Sequence, residues 1–419
     1  MRVLMLHNRY RQPGGEDAVA EAEVQMLRSH GVDVIEETSI NDVTEQDGAL
    51  ATLRLAWSSS WSRKSYQHVS QLCTEYRPDI VHVHNFWMRL SPAIHAASWR
   101  AGAATVQTLH NFRLLCTNAM FLRNGVVCED CLGKSPWRGI VHRCYRDSYA
   151  ASAAVVNMIA QNRRRNTWDR YVAAFIALTP HSYSRFVAGG IPANRLFIKP
   201  NFVADPGRSE LPSSSRKIMY FGRLAHEKGL ETLLRSWAQE KMSERGQLII
   251  AGDGPAKDQL HNLARSLDLR PPGLTFIGLQ TRTEISHLLG QVRCIVLPSI
   301  WYEGLPVSIT EAFARSRSAV VSRIGALADL VDNGRTGLTF TPGDVAELGR
   351  ALKMVLADDQ LADRMGEAAR SEFLQKYTAP RNFEQLMHIY HFALDFRLAH
   401  PTSSMPANGD RDIAAAAQI

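Results

Sequence analysis

The stretch Cys294–Phe313, CIVLPSIWYEGLPVSITEAF, decides the fold of this chain. Its first four residues are apolar and short enough for one buried strand, which Pro298 ends. An aromatic and acidic loop follows. Pro306 then stands where a helix begins, because proline lacks only an N–H that the first turn does not use. The pattern therefore predicts a strand, a loop and a helix in succession.

Two glutamates lie at different depths in this unit. Glu303 is on the loop at the mouth, and Glu311 lies roughly 7–8 Å beyond Pro306 along the helix axis. Free backbone N–H groups around 304–307 point between them at the positive helix end. A nucleotide diphosphate-sugar, with a charged middle and hydroxyls on both sides, fits this layout. The alternative is that either glutamate is a solvated surface charge.

Length and composition restrict the class of protein. A chain of 419 residues predicts two or three domains, and 45% hydrophobic with 21% charged residues describes a soluble globular protein. The net charge of +7 suits anionic substrates or an acidic membrane surface, whereas no spacing typical of nucleic-acid binding occurs. The start is typical of a buried strand rather than a signal peptide, and no apolar run reaches the ~18 residues of a spanning helix. We therefore predict a cytoplasmic protein whose six cysteines are reduced or metal-bound.

Strands and helices alternate in two series along the chain, which predicts an α/β fold with parallel sheets. A stretch rich in serine and proline separates the two series. We expect a first domain at 1–204 with a cysteine-rich insert at 116–144, a linker at 205–215, a second domain at 216–378, a helix at 379–399 that crosses back to the first domain, and a disordered tail at 400–419.

Candidate ligand-binding residues follow several predicted strands. The Pro13-Gly14-Gly15 turn comes after the first strand and lets backbone N–H groups approach a phosphate, although a plain connecting turn explains it equally well. His84 and His110 follow later strands, at the carboxyl ends where parallel sheets bind ligands. For His84 we prefer a structural, hydrogen-bonded role.

A basic loop follows the first strand of the second series. In GRLAHEKG, residues 222–229, Arg223 offers a planar fork and Lys228 a mobile point charge for phosphate oxygens. Together they can neutralise a leaving diphosphate. The alternative is a pair of solvated surface cations.

These motifs occur in a characteristic order. PGGED, His110, GRLAHEKG, AGDGP, the E-x7-E pair and PGD at 342–344 follow one another as in retaining glycosyltransferases of the GT-B type, and the chain most resembles family 4, often called group 1, over about residues 1–395. The resemblance implies two facing Rossmann-like domains, parallel sheets with helices on both faces, and a donor cleft between them. It also implies metal-free transfer of a sugar from a nucleotide diphosphate-sugar to a hydroxyl acceptor, with retained anomeric configuration.

The resemblance also assigns roles to residues. Glu303 resembles the carboxylate beside the sugar hydroxyls and Glu311 the one that accepts from the ribose, while His110 matches the cleft histidine that contacts the donor sugar. Catalytic roles fall to His110, Arg223, Lys228 and Glu303, and donor-binding roles to Gly14, Gly15, Arg223, Lys228, Gly304, Leu305, Pro306 and Glu311.

The acceptor is expected to be a glycan or a lipid-linked saccharide, in surface or extracellular polysaccharide biosynthesis. The run Arg163–Arg165 is a candidate contact with anionic lipid on the inner face of the cytoplasmic membrane, or else a solvated helix face. Three other functions remain open: a GT-B epimerase, a GT-B phosphorylase, and a catalytically silent nucleotide-sugar-binding partner.

Four cysteines cluster in the insert. Asn124-Gly125 is a strong hairpin signal that would present the C-x2-C pair as a compact knuckle. Four thiolates can close a tetrahedral structural zinc site, which a small insert without its own core needs. Two disulfides and four free thiols are the alternatives. The predicted ligands are Cys116, Cys128, Cys131 and Cys144.

Overall fold

The structure of the protein is a computed structural model that describes residues 1–9, 14–40, 59–87 and 89–401. Pro13 of the glycine turn and nearly all of the predicted tail therefore lie outside the described residues. The remaining predicted site residues and all six cysteines lie within them.

The first domain is built on a parallel sheet whose central strands are buried on both faces, as expected when helices cover both sides. Its six strands lie in the order β2-β1-β3-β4-β7-β8, and β5 and β6 form a separate hairpin. The strands are β1 Arg2–Arg9, β2 Asp33–Ile40, β3 Ile80–Asn85, β4 Ala104–Leu109, β5 Leu122–Arg123, β6 Val126–Val127, β7 Ala174–Ala177 and β8 Leu196–Ile198.

Helices cover this sheet, and three of those described begin at serine or threonine caps. The side chains of Ser62, Ser148 and Thr179 each accept a backbone N–H in the first turn of the helix that follows, which satisfies one donor of that turn. The helices are α1 Gly15–Ser29, α2 Arg63–Tyr76, α3 Ala93–Arg100, α4 Arg138–Val141, α5 Tyr149–Arg164, α6 Thr167–Tyr171 and α7 Pro180–Ala188.

The second domain repeats the architecture. Its six parallel strands lie in the order β11-β10-β9-β12-β13-β14, the order of a dinucleotide-binding sheet, which places a ligand crevice between the ends of β9 and β12. The strands are β9 Lys217–Phe221, β10 Gln247–Ala251, β11 Leu274–Gly278, β12 Cys294–Leu297, β13 Ser318–Ser322 and β14 Gly337–Phe340. The helices are α8 Leu230–Gln239, α9 Lys257–Ser266, α10 Arg282–Leu289, α11 Val307–Ala314, α12 Gly325–Leu330, α13 Val345–Ala357, α14 Asp359–Lys376 and α15 Ala379–Ala399.

The last helix, α15, packs on the first domain. Leu386, Ile389 and Tyr390 are buried in the same core cluster as Val3 and Met5 of β1. Because α15 follows α14 of the second domain directly, the helix ties the two domains together.

The insert that follows β4 contains the predicted hairpin. Arg123 pairs with Val126 in antiparallel register, so Asn124 and Gly125 form the turn, as the sequence predicts. The insert is held to the rest of the first domain by the ion pair of Glu129 with Arg185 on α7, at 2.8 Å.

Candidate donor-binding site between the two domains

The predicted site residues come together where the strands of both sheets end. His110 follows β4 directly, and Gly15 is the first residue of α1 after β1. Lys228 lies in the loop after β9, and Glu303 in the loop after β12. Parallel strands present their carboxyl ends at one edge of each sheet, and the two edges meet where Gly304 approaches His110 and Gly15 approaches Val307.

Lys228 and Glu303 form a buried ion pair. The Lys228 ammonium donates to both carboxylate oxygens of Glu303, at 2.8 and 3.0 Å, and the Ser299 hydroxyl donates to Oε1 at 2.7 Å. Glu303 is only 4% exposed, so it lies deeper than the position at the mouth that the sequence suggested. The burial is tolerated because the carboxylate is both paired and hydrogen-bonded.

Gly229 allows close contact between the loop after β9, which carries Lys228, and the loop after β12, which carries Glu303. Its φ is +68°, and a Cβ built on it would lie 1.9 Å from the carbonyl oxygen of Pro298. A side chain at this position would therefore separate the loop after β9 from the loop after β12. The glycine allows the backbones to touch, which brings Lys228 to Glu303.

Arg223, the other cation of the predicted diphosphate pair, has different surroundings. Its guanidinium hydrogen-bonds to Glu227, four residues along the loop, and its side chain is 56% exposed. The Lys228 side chain is 18% exposed. The predicted pair thus consists of one cation at the surface and one inside the crevice.

Glu311 lies on α11, one turn beyond the helix start. Burial raises the pKa of its carboxyl to about 7, and Arg282 opposes this rise only in part. No hydrogen-bond partner for the carboxyl is found in the part of the chain that the structure describes. Such a desolvated acceptor is suited to ligand hydroxyls, which would supply the missing hydrogen bonds.

The two domains touch across the crevice at glycines. A Cβ on Gly304 would lie 2.6 Å from the carbonyl oxygen of His110, and one on Gly15 would lie 3.8 Å from Cγ2 of Val307. The Gly14 N–H, a candidate phosphate donor, instead donates to the Asp17 carboxylate at 2.8 Å and caps α1. Of the glycine turn, Gly15 is the member that faces the second domain.

His110 is held by the neighbouring histidine. Its Nε2 lies 2.9 Å from Nδ1 of His84, and the two rings stack with centroids 5.2 Å apart. Burial lowers the pKa of His110 well below its usual value, and His84 lowers it further. The His110 side chain is therefore neutral at pH 7. His84 is hydrogen-bonded through both ring nitrogens, and its structural role stays a prediction.

Tyr302 is a site residue that the sequence argument left without a role. Its ring lies 4.3 Å from that of His181 on α7 and also meets Phe112 and Phe121. Beside it, the backbone N–H of His181 donates to the Asp329 carboxylate at 2.6 Å. In the sequence, the position of Tyr302 directly before the predicted site residue Glu303 is the one feature that indicates this contact between the domains.

The insert reaches the second domain as well. A Cβ on Gly125, at the hairpin tip, would lie 3.5 Å from Nε2 of His226 in the basic loop. The hairpin tip of the insert therefore lies against the loop that carries Lys228.

The four clustered cysteines line one cavity of the insert together with Asp130 and His142. All four are free thiols, so the structure contains neither of the two alternative disulfides. Burial raises the pKa of Cys131 to about 11, and neighbouring thiols contribute to the rise. Sulfur atoms around zinc would lie about 3.8 Å apart, given Zn–S bonds of about 2.3 Å. Within the described residues, no three of the four sulfurs lie within 4.8 Å of one another.

The basic run Arg163–Arg165 is mostly engaged within the protein. Arg163 donates to the carbonyl of Lys134 at 2.5 Å, and the guanidinium of Arg165 lies 4.6 Å from the ring centre of Trp61. Only Arg164 of the three is exposed. In the described part of the chain, no helix combines the length and apolar character needed to cross a bilayer.

Comparison with known proteins identifies the family. The family model for group 1 glycosyl transferases matches residues 203–372, and the model for the glycosyl transferase 4-like domain matches residues 13–201. Together the two matches cover most of the chain, and the chain belongs to the group 1 glycosyltransferases with the GT-B fold.

Individual relatives match part of the chain. An alpha-D-kanosaminyltransferase from Streptomyces kanamyceticus is 32% identical over 176 residues, which are 41% of this chain and 45% of that protein. A glycogen synthase from Mycobacterium tuberculosis is 35% identical over 162 residues, 38% of this chain and 39% of that protein. The chain thus spans less than half the length of either relative. Among solved structures, Anabaena HepE in complex with UDP matches with a TM-score of 0.65 and 18% sequence identity. The match covers 93% of this chain and 99% of that chain, and it shows that the two proteins share a fold.

Proposed function

We propose that the protein transfers a sugar from a nucleotide diphosphate-sugar to a hydroxyl acceptor, with retention of anomeric configuration. The observation that carries the proposal is the Lys228–Glu303 ion pair, which lies in the crevice beside His110 and Gly304. It puts a cation for a leaving phosphate next to a carboxylate for sugar hydroxyls. Family membership and the UDP bound by HepE support a nucleotide as part of the donor.

Each end of the donor has a counterpart in the crevice. Glu311 would accept hydrogen bonds from the ribose hydroxyls, because its buried carboxyl has no partner in the described residues. The diphosphate would lie near the start of α11, where backbone N–H groups around Gly304–Val307 meet the positive helix end. The sugar would then lie towards Glu303 and His110.

Departure of the diphosphate is the step at which charge develops. Lys228 and Arg223 would neutralise that charge, and the acceptor hydroxyl would attack on the face from which the diphosphate leaves. A phosphate oxygen would take the proton of the hydroxyl, so this route requires no enzyme nucleophile and no metal.

We also propose a glycan or lipid-linked acceptor and a role in polysaccharide formation at the cytoplasmic face of a membrane. The relative named glycogen synthase supports a glycan acceptor. Contact with anionic lipid is supported by the end of the insert and the start of α5, where Trp137, Val141 and Tyr149 are 55%, 52% and 60% exposed beside the exposed Arg138 and Arg143. Aromatic and basic side chains together suit a lipid headgroup layer.

A structural zinc ion bound by the insert is the last part of the proposal. Its support is the convergence of Cys116, Cys128, Cys131 and Cys144 on one cavity. The sulfurs would have to move inward to close a tetrahedral site.

A thermal-shift screen with UDP, GDP, ADP and one sugar nucleotide of each tests the function. We expect one base to raise Tm, and the matching nucleotide sugar to be consumed with release of the nucleoside diphosphate. Proton NMR of the product reports its anomeric configuration. An inverted product refutes retention. Interconversion of the nucleotide sugar indicates an epimerase, phosphate-dependent turnover a phosphorylase, and binding without turnover a silent partner.

A further inference from the structure

A buried chain of polar side chains leads from the crevice into the first domain. His84 Nδ1 lies 2.9 Å from His110 Nε2, and His84 Nε2 lies 3.1 Å from Oε1 of Glu23. The other oxygen of Glu23 accepts from the Lys199 ammonium at 2.7 Å. Lys199 also donates to Asn382 on α15, at 3.0 Å. Apart from His110 at the crevice, these side chains are almost completely buried.

The chemistry of the group favours a hydrogen-bonded chain over a metal site. Ligand atoms of Glu23, His82 and His84 lie within 4.8 Å of one another, which is close enough for a metal ion. However, the Lys199 ammonium already supplies the positive charge at Glu23. A metal ion would add a second cation beside it, without a further carboxylate among the described residues of this group to balance the charge.

The charge states fix the direction of each hydrogen bond. Burial alone would raise the pKa of Glu23, but Lys199, His84 and His82 together hold it well below its usual value, so Glu23 is ionised. Burial lowers the pKa of His84 and of His110, so both imidazoles are neutral.

An ionised carboxylate only accepts, so His84 must carry its proton on Nε2 and donate to Glu23. A neutral imidazole has one N–H, which leaves His84 Nδ1 as an acceptor. His110 therefore carries its proton on Nε2 and donates to His84. Its Nδ1 is left with a free lone pair, and no partner for that atom occurs in the described ranges.

We propose that Glu23 and His84 are positioning residues that fix the tautomer of His110, so that His110 presents an unprotonated Nδ1 to a hydroxyl of the donor sugar. The inference rests on the proposed function, because it takes a nucleotide sugar as the ligand. Lys199 keeps Glu23 charged and links this tautomer to the helix that ties the two domains together.

Two substitutions of His84 separate the hydrogen-bond pattern from the bulk of the ring. In His84→Gln, the amide oxygen can accept from His110 while the amide nitrogen donates to Glu23, as the imidazole does. His84→Phe keeps a planar ring without either function. His95→Gln is the matched control, since His95 is equally buried and bonds instead to Pro92 and Gln107.

The first measurement is the tautomer itself, read by NMR of the full chain labelled with ¹⁵N-histidine at pH 7. His110 is assigned by its loss in His110→Gln. We expect His110 in the Nε2–H form in the parent protein, in His84→Gln and in His95→Gln, and a mixture of tautomers in His84→Phe. A proton on Nδ1 of His110 in the parent overturns the inference.

The second measurement compares two ligands, namely the best nucleotide sugar from the thermal-shift screen and its nucleoside diphosphate. His84→Phe should weaken the nucleotide sugar about three- to tenfold, the range for one neutral hydrogen bond, and leave the nucleoside diphosphate unchanged. His84→Gln should restore the affinity, and His95→Gln should match the parent. Equal weakening of both ligands, or of neither, overturns the inference. A parent protein that binds no nucleotide sugar overturns the proposed function instead.

Discussion

Replacing Glu311 by glutamine should stabilise the folded protein while it weakens nucleotide binding. The carboxyl is largely buried on α11, and its pKa is raised to about 7 by that desolvation. Glutamine keeps the size of the side chain and removes its charge. The effects on stability and on binding have opposite signs. The charged carboxyl is desolvated in the free protein, which costs stability, whereas a bound nucleotide would supply hydrogen bonds to it.

The stability effect depends on pH. The folded pKa of about 7 is higher than the ordinary 4.5, so between these values the unfolded chain releases a proton that the folded chain keeps. The parent protein therefore loses stability as the pH rises through this window. At about 1.36 kcal/mol per pKa unit, the loss amounts to about 3 kcal/mol by pH 8. Glu311→Gln has no titrating carboxyl at this position and does not lose this stability. Its Tm at pH 8 should therefore exceed that of the parent by about 6–12 °C.

Binding should change in the other direction. In the proposed function, an ionised Glu311 would accept charge-assisted hydrogen bonds from ribose hydroxyls, and losing one would cost about 1.5–3 kcal/mol. The Kd of the nucleoside diphosphate should therefore rise about 10- to 150-fold in Glu311→Gln at pH 8.

Thermal unfolding at pH 5 and pH 8, with calorimetric titration of the nucleoside diphosphate at pH 8, measures both effects. Glu367→Gln is the control, because Glu367 is an exposed glutamate on α14 of the same domain. The Tm difference from the parent should be small at pH 5, where Glu311 is protonated in the folded protein. The assignment is refuted if Glu311→Gln binds the nucleoside diphosphate as tightly as the parent does.

Three further outcomes are expected. Lys228→Ala should lower kcat/KM about 10²- to 10³-fold, because the charge on the leaving diphosphate is largest in the transition state. The control Arg235→Ala, at an exposed ion pair on α8, should leave kcat/KM unchanged. Normal turnover by Lys228→Ala would remove Lys228 from the mechanism. Binding to vesicles with anionic lipid should fall in flotation when Trp137, Val141 and Tyr149 are changed to serine, and less when Arg163–Arg165 are changed to glutamine; binding that ignores both sets and the lipid charge refutes the membrane contact. Protein purified without added metal should contain about one zinc per chain and lose it in Cys128→Ser/Cys131→Ser, whereas less than a tenth of an equivalent with four titratable thiols refutes the site.

Part of the arrangement of the site is predictable because parallel sheets align their strand ends. His110, Lys228 and Glu303 each follow a short apolar strand, which predicts that each lies at the ligand-binding edge of its own sheet. The facing of the two sheets across one crevice is implied only by the resemblance to GT-B glycosyltransferases. The hairpin at Asn124-Gly125 was equally predictable, since its turn has a local sequence signal.

Burial and pairing between distant residues were not predictable in this way. Glu303 lies deep because Gly229 meets Pro298, a contact between loops 69 positions apart in the numbering of the chain. The spacing of Glu23 from Val19 and Val24 places it on the buried face of α1, so the sequence contains a local signal for a buried glutamate. Its partner Lys199 is 176 residues away, and only the folded sheet brings the two charges together.

The hydrogen bonds of the Lys228–Glu303 ion pair leave capacity for the donor that we propose. The Lys228 ammonium has three N–H donors and uses two on Glu303. The Glu303 carboxylate has about four acceptor positions, of which Lys228 takes two and Ser299 a third. Among the described residues, one N–H of Lys228 and one acceptor position of Glu303 therefore have no hydrogen-bond partner. In the proposed function, a phosphate oxygen would accept from this N–H and a sugar hydroxyl would donate to the carboxylate, so the donor would bind without breaking the ion pair that joins the two loops.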